Sequence, residues 1–219
     1  SPTRSSDSFT VGVTSPIALP AVGTMVKSGY TFLGWSLTAG SSGAGGASVA
    51  DPYTPTGSVT LYARWTTQPI YTVTFKPNFS GPADATQSST TAANLVANPF
   101  TRTGYTFQGW ATTQVGADAG TVAYANQANY PFTSNANLYA VWQINSYTLT
   151  YAKNDGSGTT ATQNYNYGAT NALGYSSGWT RTGYTLLGWA ETNGATSALG
   201  SYTVTAPATL YAVWQLNSY

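Results

Sequence analysis

The sequence predicts a mainly β protein made of three small tandem modules. Three observations carry this reading. The segment SGYTFLGW (Ser28–Trp35) returns as TGYTFQGW (Thr103–Trp110) and as TGYTLLGW (Thr182–Trp189). A second segment follows each time: LYARW at Leu61–Trp65, then LYAVW at Leu138–Trp142 and at Leu210–Trp214. Large apolar residues in these segments alternate with small or polar ones, between stretches rich in Gly, Pro and Asn. A period of two with such breakers marks half-buried strands and not helices.

The opening strand of each module is FTVGV (Phe9–Val13), YTVTF (Tyr71–Phe75) and YTLTY (Tyr147–Tyr151). Alternation turns Tyr71, Val73 and Phe75 inward and Thr72 and Thr74 outward. In the middle strand Phe32, Phe107 and Leu186 are apolar in every copy and are expected inside. Leu33, Gln108 and Leu187 are expected to be partly exposed. The glycine before each Trp (Gly34, Gly109, Gly188) weakens a strand, so it needs a reason: close approach of an aromatic ring, or a bulge with positive φ. The sequence leaves both open. In the closing strand Leu61, Ala63 and Trp65 share one face. The variable position Arg64/Val141/Val213 is expected on the outward face.

The repeats set the boundaries: residues 1–8 a linker, then modules over 9–66, 70–142 and 147–214. Residues 215–219 (QLNSY) repeat Gln143–Tyr147 (QINSY) and read as the start of a further repeat. Tyr53, Tyr130 and Tyr202 each stand 12 residues before the closing Trp, whereas 18, 20 and 13 residues separate the first Trp from that Tyr. Length variation is therefore confined to Ser36–Pro52, Ala111–Asn129 and Ala190–Ser201, expected to be surface loops.

Charged residues make up only 6% of the chain and its net charge is +1, against roughly 25% charged in an average domain. No basic stripe exists to neutralise phosphates, so nucleic acid is not an expected partner. No apolar run is long enough to span a membrane, and the first residues lack the apolar core of a signal peptide; any export signal or anchor is expected outside these residues. The absence of Cys and His removes disulfides, thiolate metal sites and the commonest neutral-pH base. No cofactor is expected.

Taken in order, the YTVTF strand, a Gly/Asn turn, the Arg-Thr-Gly-Tyr-Thr-Phe-x-Gly-Trp segment and Leu-Tyr-Ala-x-Trp resemble the Listeria–Bacteroides repeat, the B-repeat type of module of internalins. All three units carry the pattern. Repeat 1 departs from it with Lys27-Ser28-Gly29 and Gly12. The turn, Asp-rich in the family, reads Lys76-Pro77-Asn78 and Lys153-Asn154-Asp155 here, which weakens any transfer of a ligand to it. The resemblance implies a β-grasp-like module that can hold a short helix. It also implies an extracellular, bacterial cell-surface setting in which such modules act as spacers or adhesive segments.

Candidate sites are few. The acids Asp7, Asp51, Asp84, Asp118, Asp155 and Glu191 do not recur as a pair in every module, so no catalytic residues are assigned and no enzyme is expected. Asn154–Gly158 offers one carboxylate, too few for Ca²⁺, and reads as an Asx turn. Lys76 and Lys153 could serve an isopeptide crosslink, but repeat 1 has no such lysine. The basic position Lys27/Arg102/Arg181 is expected to clamp an aromatic of its own module. Trp35, Trp65, Trp110, Trp142, Trp189 and Trp214 are assigned to the core. Tyr124, Tyr165, Tyr167 and Tyr175 have no counterpart in every unit and are the candidates for a partner-binding surface. The function expected is a non-catalytic stalk or adhesive spacer whose partners are neighbouring repeats and a surface glycan or protein. The alternatives are a carbohydrate- or protein-binding array and an accessory domain of a larger extracellular enzyme.

Overall fold

The computed structural model describes residues 16–19, 21, 26–39, 47–176 and 178–218. The strand expected at Phe9–Val13 lies outside them. The chain forms two compact units. One holds the described residues up to Thr72 with 88–93 and 131–135; the other holds 73–87, 94–130 and the residues from Ala136 on. The body of repeat 2 and the whole of repeat 3 thus share one unit.

In the first unit β1 (Tyr30–Ser36) pairs antiparallel with β2 (Tyr62–Thr67). Ile17 and Tyr53 exchange backbone hydrogen bonds of 2.8 and 2.9 Å. Repeat 2 contributes β3 (Tyr71–Lys76), β4 (Ala85–Ser89), β5 (Ala93–Asn94), β6 (Tyr105–Ala111), helix α1 (Gln114–Asp118), β7 (Asn129–Tyr130) and β8 (Ala136–Ile144). Repeat 3 contributes β9 (Ser146–Ala152), β10 (Thr160–Asn166), β11 (Tyr184–Ala190) and β12 (Ala208–Leu216), with a 3-10 turn over Ala172–Gly174.

The two four-stranded sheets have one topology, β4-β3-β8-β6 and β10-β9-β12-β11. The opening and closing strands pair in parallel at the centre, and the middle strand pairs antiparallel with the closing one. A parallel pair needs a long crossover, which the intervening 60 or so residues of each module supply. Val73 and Phe75 face inward and are fully buried, as are Leu149 and Tyr151 in repeat 3. Tyr71 and Tyr147 are only half-buried.

The glycine question is answered by the backbone. Gly34, Gly109 and Gly188 have φ of 129°, 149° and 144°, and the register slips by one residue at each, between Phe32 and Gly34, Phe107 and Gly109, Leu186 and Gly188. Each is a β-bulge. Of the two alternatives the bulge holds, and the close neighbours are not rings: a Cβ on Gly109 would meet Val122 Cγ1 at 2.6 Å and the Tyr124 carbonyl at 2.7 Å, and one on Gly188 would meet Ala198 at 2.9 Å. The bulge re-aims the following Trp, whose carbonyl receives an N–H from the crossover: Val49 to Trp35, Tyr124 to Trp110 and Leu199 to Trp189, at 2.9, 3.0 and 2.9 Å.

Two expectations are corrected together. Arg64, Val141 and Val213 are not outward: they are 5%, 1% and 1% exposed. Nor is Ala111–Asn129 merely a surface loop. It holds α1, whose Thr113 cap accepts from the Gly116 N–H at 3.1 Å. Ala117 of α1 is buried with Val141 and Ala111. In repeats 2 and 3 the closing strand is central in its sheet and Val141 and Val213 are buried, so alternation could not report an outward side. In repeat 1 the Arg64 guanidinium donates to Ser48 Oγ.

Candidate functional site

The cationic clamp forms in all three modules. Lys27 Nζ lies 3.8 Å from the Tyr30 ring centre, and the guanidinium carbons of Arg102 and Arg181 lie 3.7 and 3.8 Å from Tyr105 and Tyr184. The tight turn with positive φ at Gly29, Gly104 and Gly183 brings cation and ring together three residues apart.

The six tryptophans divide into two kinds. Trp110 and Trp189 are buried, at 0% and 2% exposure; Trp35 is half-buried. The closing-strand residues Trp65, Trp142 and Trp214 are half-buried as well, and Trp214 packs against the core of repeat 3. In repeat 2 Phe107 bridges both kinds, 4.9 Å from Trp110 and 5.5 Å from Trp142, edge-on to each. The indole N–H of Trp142 donates to the Pro77 carbonyl at 2.8 Å, and that of Trp214 to the Lys153 carbonyl at 2.6 Å. Trp179 lies edge-on to Trp189 at 6.0 Å.

The four unmatched tyrosines do not form one surface. Tyr165 is buried at 7% exposure and shares a 2.8 Å hydrogen bond with Tyr151, whose hydroxyl also reaches the Ala172 carbonyl at 2.8 Å. Tyr175, half-buried, stacks on Tyr151 at 4.0 Å. Tyr124 packs edge-on against Tyr130 at 5.0 Å. Tyr167 covers Gly104 of the preceding repeat, where any Cβ would collide with its ring. Burial pushes the hydroxyls of Tyr151, Tyr130 and Tyr202 above the ordinary 10.0, helped by Tyr165 and other neighbouring tyrosines, by Tyr124 and by Glu191 respectively.

That contact belongs to a junction centred on Asn145. Its N–H donates to the Gly104 carbonyl at 2.9 Å, its carbonyl accepts from the Tyr167 N–H at 2.8 Å, and its side-chain oxygen accepts from Thr106 Oγ1 at 2.7 Å. The first and last of these recur at Asn217, with Gly183 and Thr185, both at 2.8 Å. The sequence signal was available in QINSY and QLNSY, but the partners Gly104 and Tyr167 lie far from it along the chain.

The acids are dispersed. Lys76 pairs with Asp84 on the surface and Lys153 with Asp155 in a partly buried turn, and Asp118 accepts from Asn78 at 2.9 Å. Among the described residues no three of His, Cys, Asp and Glu come together to hold a metal. The Asn154–Gly158 segment is an Asx turn: the Ser157 N–H donates to Asp155 Oδ1 at 3.0 Å. The Lys153 ammonium, then the Ser157 hydroxyl and N–H, hold the Asp155 carboxyl well below its ordinary value.

With two like-ordered sheets and the recurrent bulge, clamp and Trp pair in place, the pattern of the Listeria-Bacteroides repeat domain matches residues 3–64, 71–141 and 147–213. The chain belongs to that family. As a Listeria-Bacteroides repeat protein it is similar to two proteins of Evansella cellulosilytica. One bears the name of a Gly-rich membrane protein and is 29% identical over 94% of this chain and 23% of its own length. The other, named a membrane protein, is 27% identical over 88% of this chain and 28% of its own length. The chain thus spans about a quarter of these relatives. No helix among its described residues is long and apolar enough to cross a membrane. Asn145 lies between the second and third matched stretches, so the junction is built partly from the residues that connect repeats.

Proposed function

We propose that this chain is a non-catalytic spacer in a bacterial cell-surface protein, a stalk of repeats that carries other regions of its parent away from the cell. The observation that supports it is the Asn145 junction. Repeats 2 and 3 are joined by backbone and side-chain hydrogen bonds and a ring seated on a glycine, not by a loose tether. A short connection anchored on both sides restricts relative rotation, which a spacer needs if repeat number is to set reach. The relatives' names as membrane proteins support placement at the cell envelope. Low charge, with Thr, Ser, Asn and Gly supplying the polarity, suits a segment that makes few electrostatic contacts of its own.

The test is NMR relaxation on the whole chain. Repeats 2 and 3 are expected to share one rotational correlation time, and Tyr167→Ala to let them separate. Distinct correlation times in the unaltered chain would count against a stiff spacer. In the parent protein, adhesion or reach should scale with the number of repeats.

A further inference from the structure

The opening turns of repeats 2 and 3 share the bond from the closing-strand indole and the positive φ of the following Asn, but differ in the residue after it. Pro77 and Lys153 each accept the closing-strand indole N–H, and Asn78 and Asn154 follow with φ of 60° and 57°. The next residue is Phe79 in repeat 2 and Asp155 in repeat 3. Phe79 folds back over its own module. Its ring is edge-on to Trp142 at 5.7 Å, and the Arg102 guanidinium lies 5.4 Å from its centre. Arg102 therefore has Tyr105 and Phe79 as two aromatic neighbours.

In repeat 3 the Asp155 carboxylate is drawn to Lys153 and Ser157, and among the described residues no ring takes the place that Phe79 has beside Trp142. Instead there is an open groove of about 420 Å³ whose walls include Arg181, Trp214, Asn154, Leu187 and Thr196. Arg181 keeps Tyr184 as one neighbour and lines the groove. Leu187, 45% exposed, stands where repeat 2 has Gln108, whose amide turns back to the Thr106 carbonyl at 3.4 Å. Leu187 thus gives the groove wall an apolar residue where repeat 2 has an amide, and the Trp214 indole is already fixed by the bond to Lys153.

We infer that this groove of repeat 3 is a docking site for an aromatic side chain, Phe or Tyr, presented by a partner polypeptide. Repeat 2 supplies the template for the occupant: the same Arg and Trp, on the same turn, hold a phenyl ring in cis. The guanidinium complements the negative face of a ring, the indole offers an edge-to-face contact, and Leu187 adds apolar area. Because the clamp and the indole are held by intramodular contacts, little ordering is required on binding.

The experiment titrates the whole chain with N-acetyl-phenylalaninamide and follows the Trp214 indole N–H by ¹⁵N NMR, the resonance being assigned from its loss in Trp214→Phe. A saturable shift is expected. Asp155→Phe, which supplies a ring in cis as Phe79 does, should abolish it. Leu187→Gln and Arg181→Ala should each weaken it, the loss of ring contacts together amounting to about tenfold. If Asp155→Phe does not fold, Leu187→Gln, a surface change to the residue repeat 2 carries, decides. Absence of a saturable Trp214 shift, or an unchanged response in these variants, would overturn the inference. So would a response to chitotriose without one to the aromatic amide, which would make the groove a saccharide site.

Discussion

The ring of Tyr167 stands where a side chain on Gly104 would be, so that repeat 3 touches repeat 2 at a position where only glycine fits. Gly183 is the same residue of the next turn, with φ of 78° against 77° for Gly104, yet a Cβ built on it would meet nothing within 4 Å. The pair separates two costs. Gly183→Ala should lose about 1–2 kcal/mol from the left-handed backbone alone. Gly104→Ala should lose that and displace Tyr167. Adding Tyr167→Ala to Gly104→Ala should then cost less than the two changes summed, with a coupling of about 1 kcal/mol. Chemical denaturation of the four variants measures it, and strict additivity would remove the contact from the account.

Trp110 and Trp142 are expected to respond unequally although both belong to the recurring pair. Trp110→Ala empties a fully buried site against Phe75, Phe100 and Phe107 and should destabilise repeat 2 by about 3–5 kcal/mol. Trp142→Ala, at a half-buried site, should cost clearly less. Equal losses in the denaturant midpoint, with unchanged slope, would contradict the division of the two Trp into buried and half-buried kinds.

Tyr151 occupies the place of Phe75, but its hydroxyl satisfies Tyr165 and Ala172. Tyr151→Phe should destabilise repeat 3 by about 1–3 kcal/mol, since two buried partners lose their bond. Its folded pKa is raised, by burial first, then by the bond to Tyr165 and the neighbouring tyrosines, so its stabilisation is complete below the ordinary 10.0 and declines as pH rises above it. The variant should show a flatter alkaline limb in thermal melts followed against pH. An alkaline limb as steep as the parent's would refute this assignment.

Asp155 has the opposite sign. Its folded pKa is lowered, by the Lys153 and then the Ser157 bonds, so the stabilisation it brings is present above the ordinary 3.8 and is lost as pH falls through the depressed folded value. Asp155→Asn should remove that acid dependence from repeat 3 while leaving the Asx turn. Carboxyl-carbon NMR of the parent should show the Asp155 carboxyl titrating below the ordinary 3.8. Titration at the ordinary value would sink the prediction.

Much of each module was legible before any coordinates. The alternation in Tyr71–Phe75 identified Val73 and Phe75 as buried, with Tyr71 only half-buried, because a strand exposes its two faces to different solvents and its composition records the difference. The clamp of Arg102 on Tyr105 was also readable, since it spans three residues across one turn. The outward reading of Val141 failed for the converse reason: α1 covers that face, and a strand buried on both sides carries no alternation to read. The half-exposure of Trp142 and Trp214 escaped composition too, because a Trp with its N–H bonded to a turn carbonyl can remain open on one side.

The sequence by itself determined that this chain repeats one β module three times, which residues form the opening, middle and closing strands of repeats 2 and 3, and that each module carries a glycine before its Trp. These are local properties, set by backbone sterics and the period of side-chain polarity. Only the tertiary structure decided that Tyr167 closes on Gly104, that Asn145 ties repeat 2 to repeat 3, and that exchanging Phe79 for Asp155 leaves a groove beside Arg181 and Trp214. Each of these joins groups from distant parts of the chain, and their meeting depends on how the strands pair and where the turns aim, which neither composition nor spacing encodes.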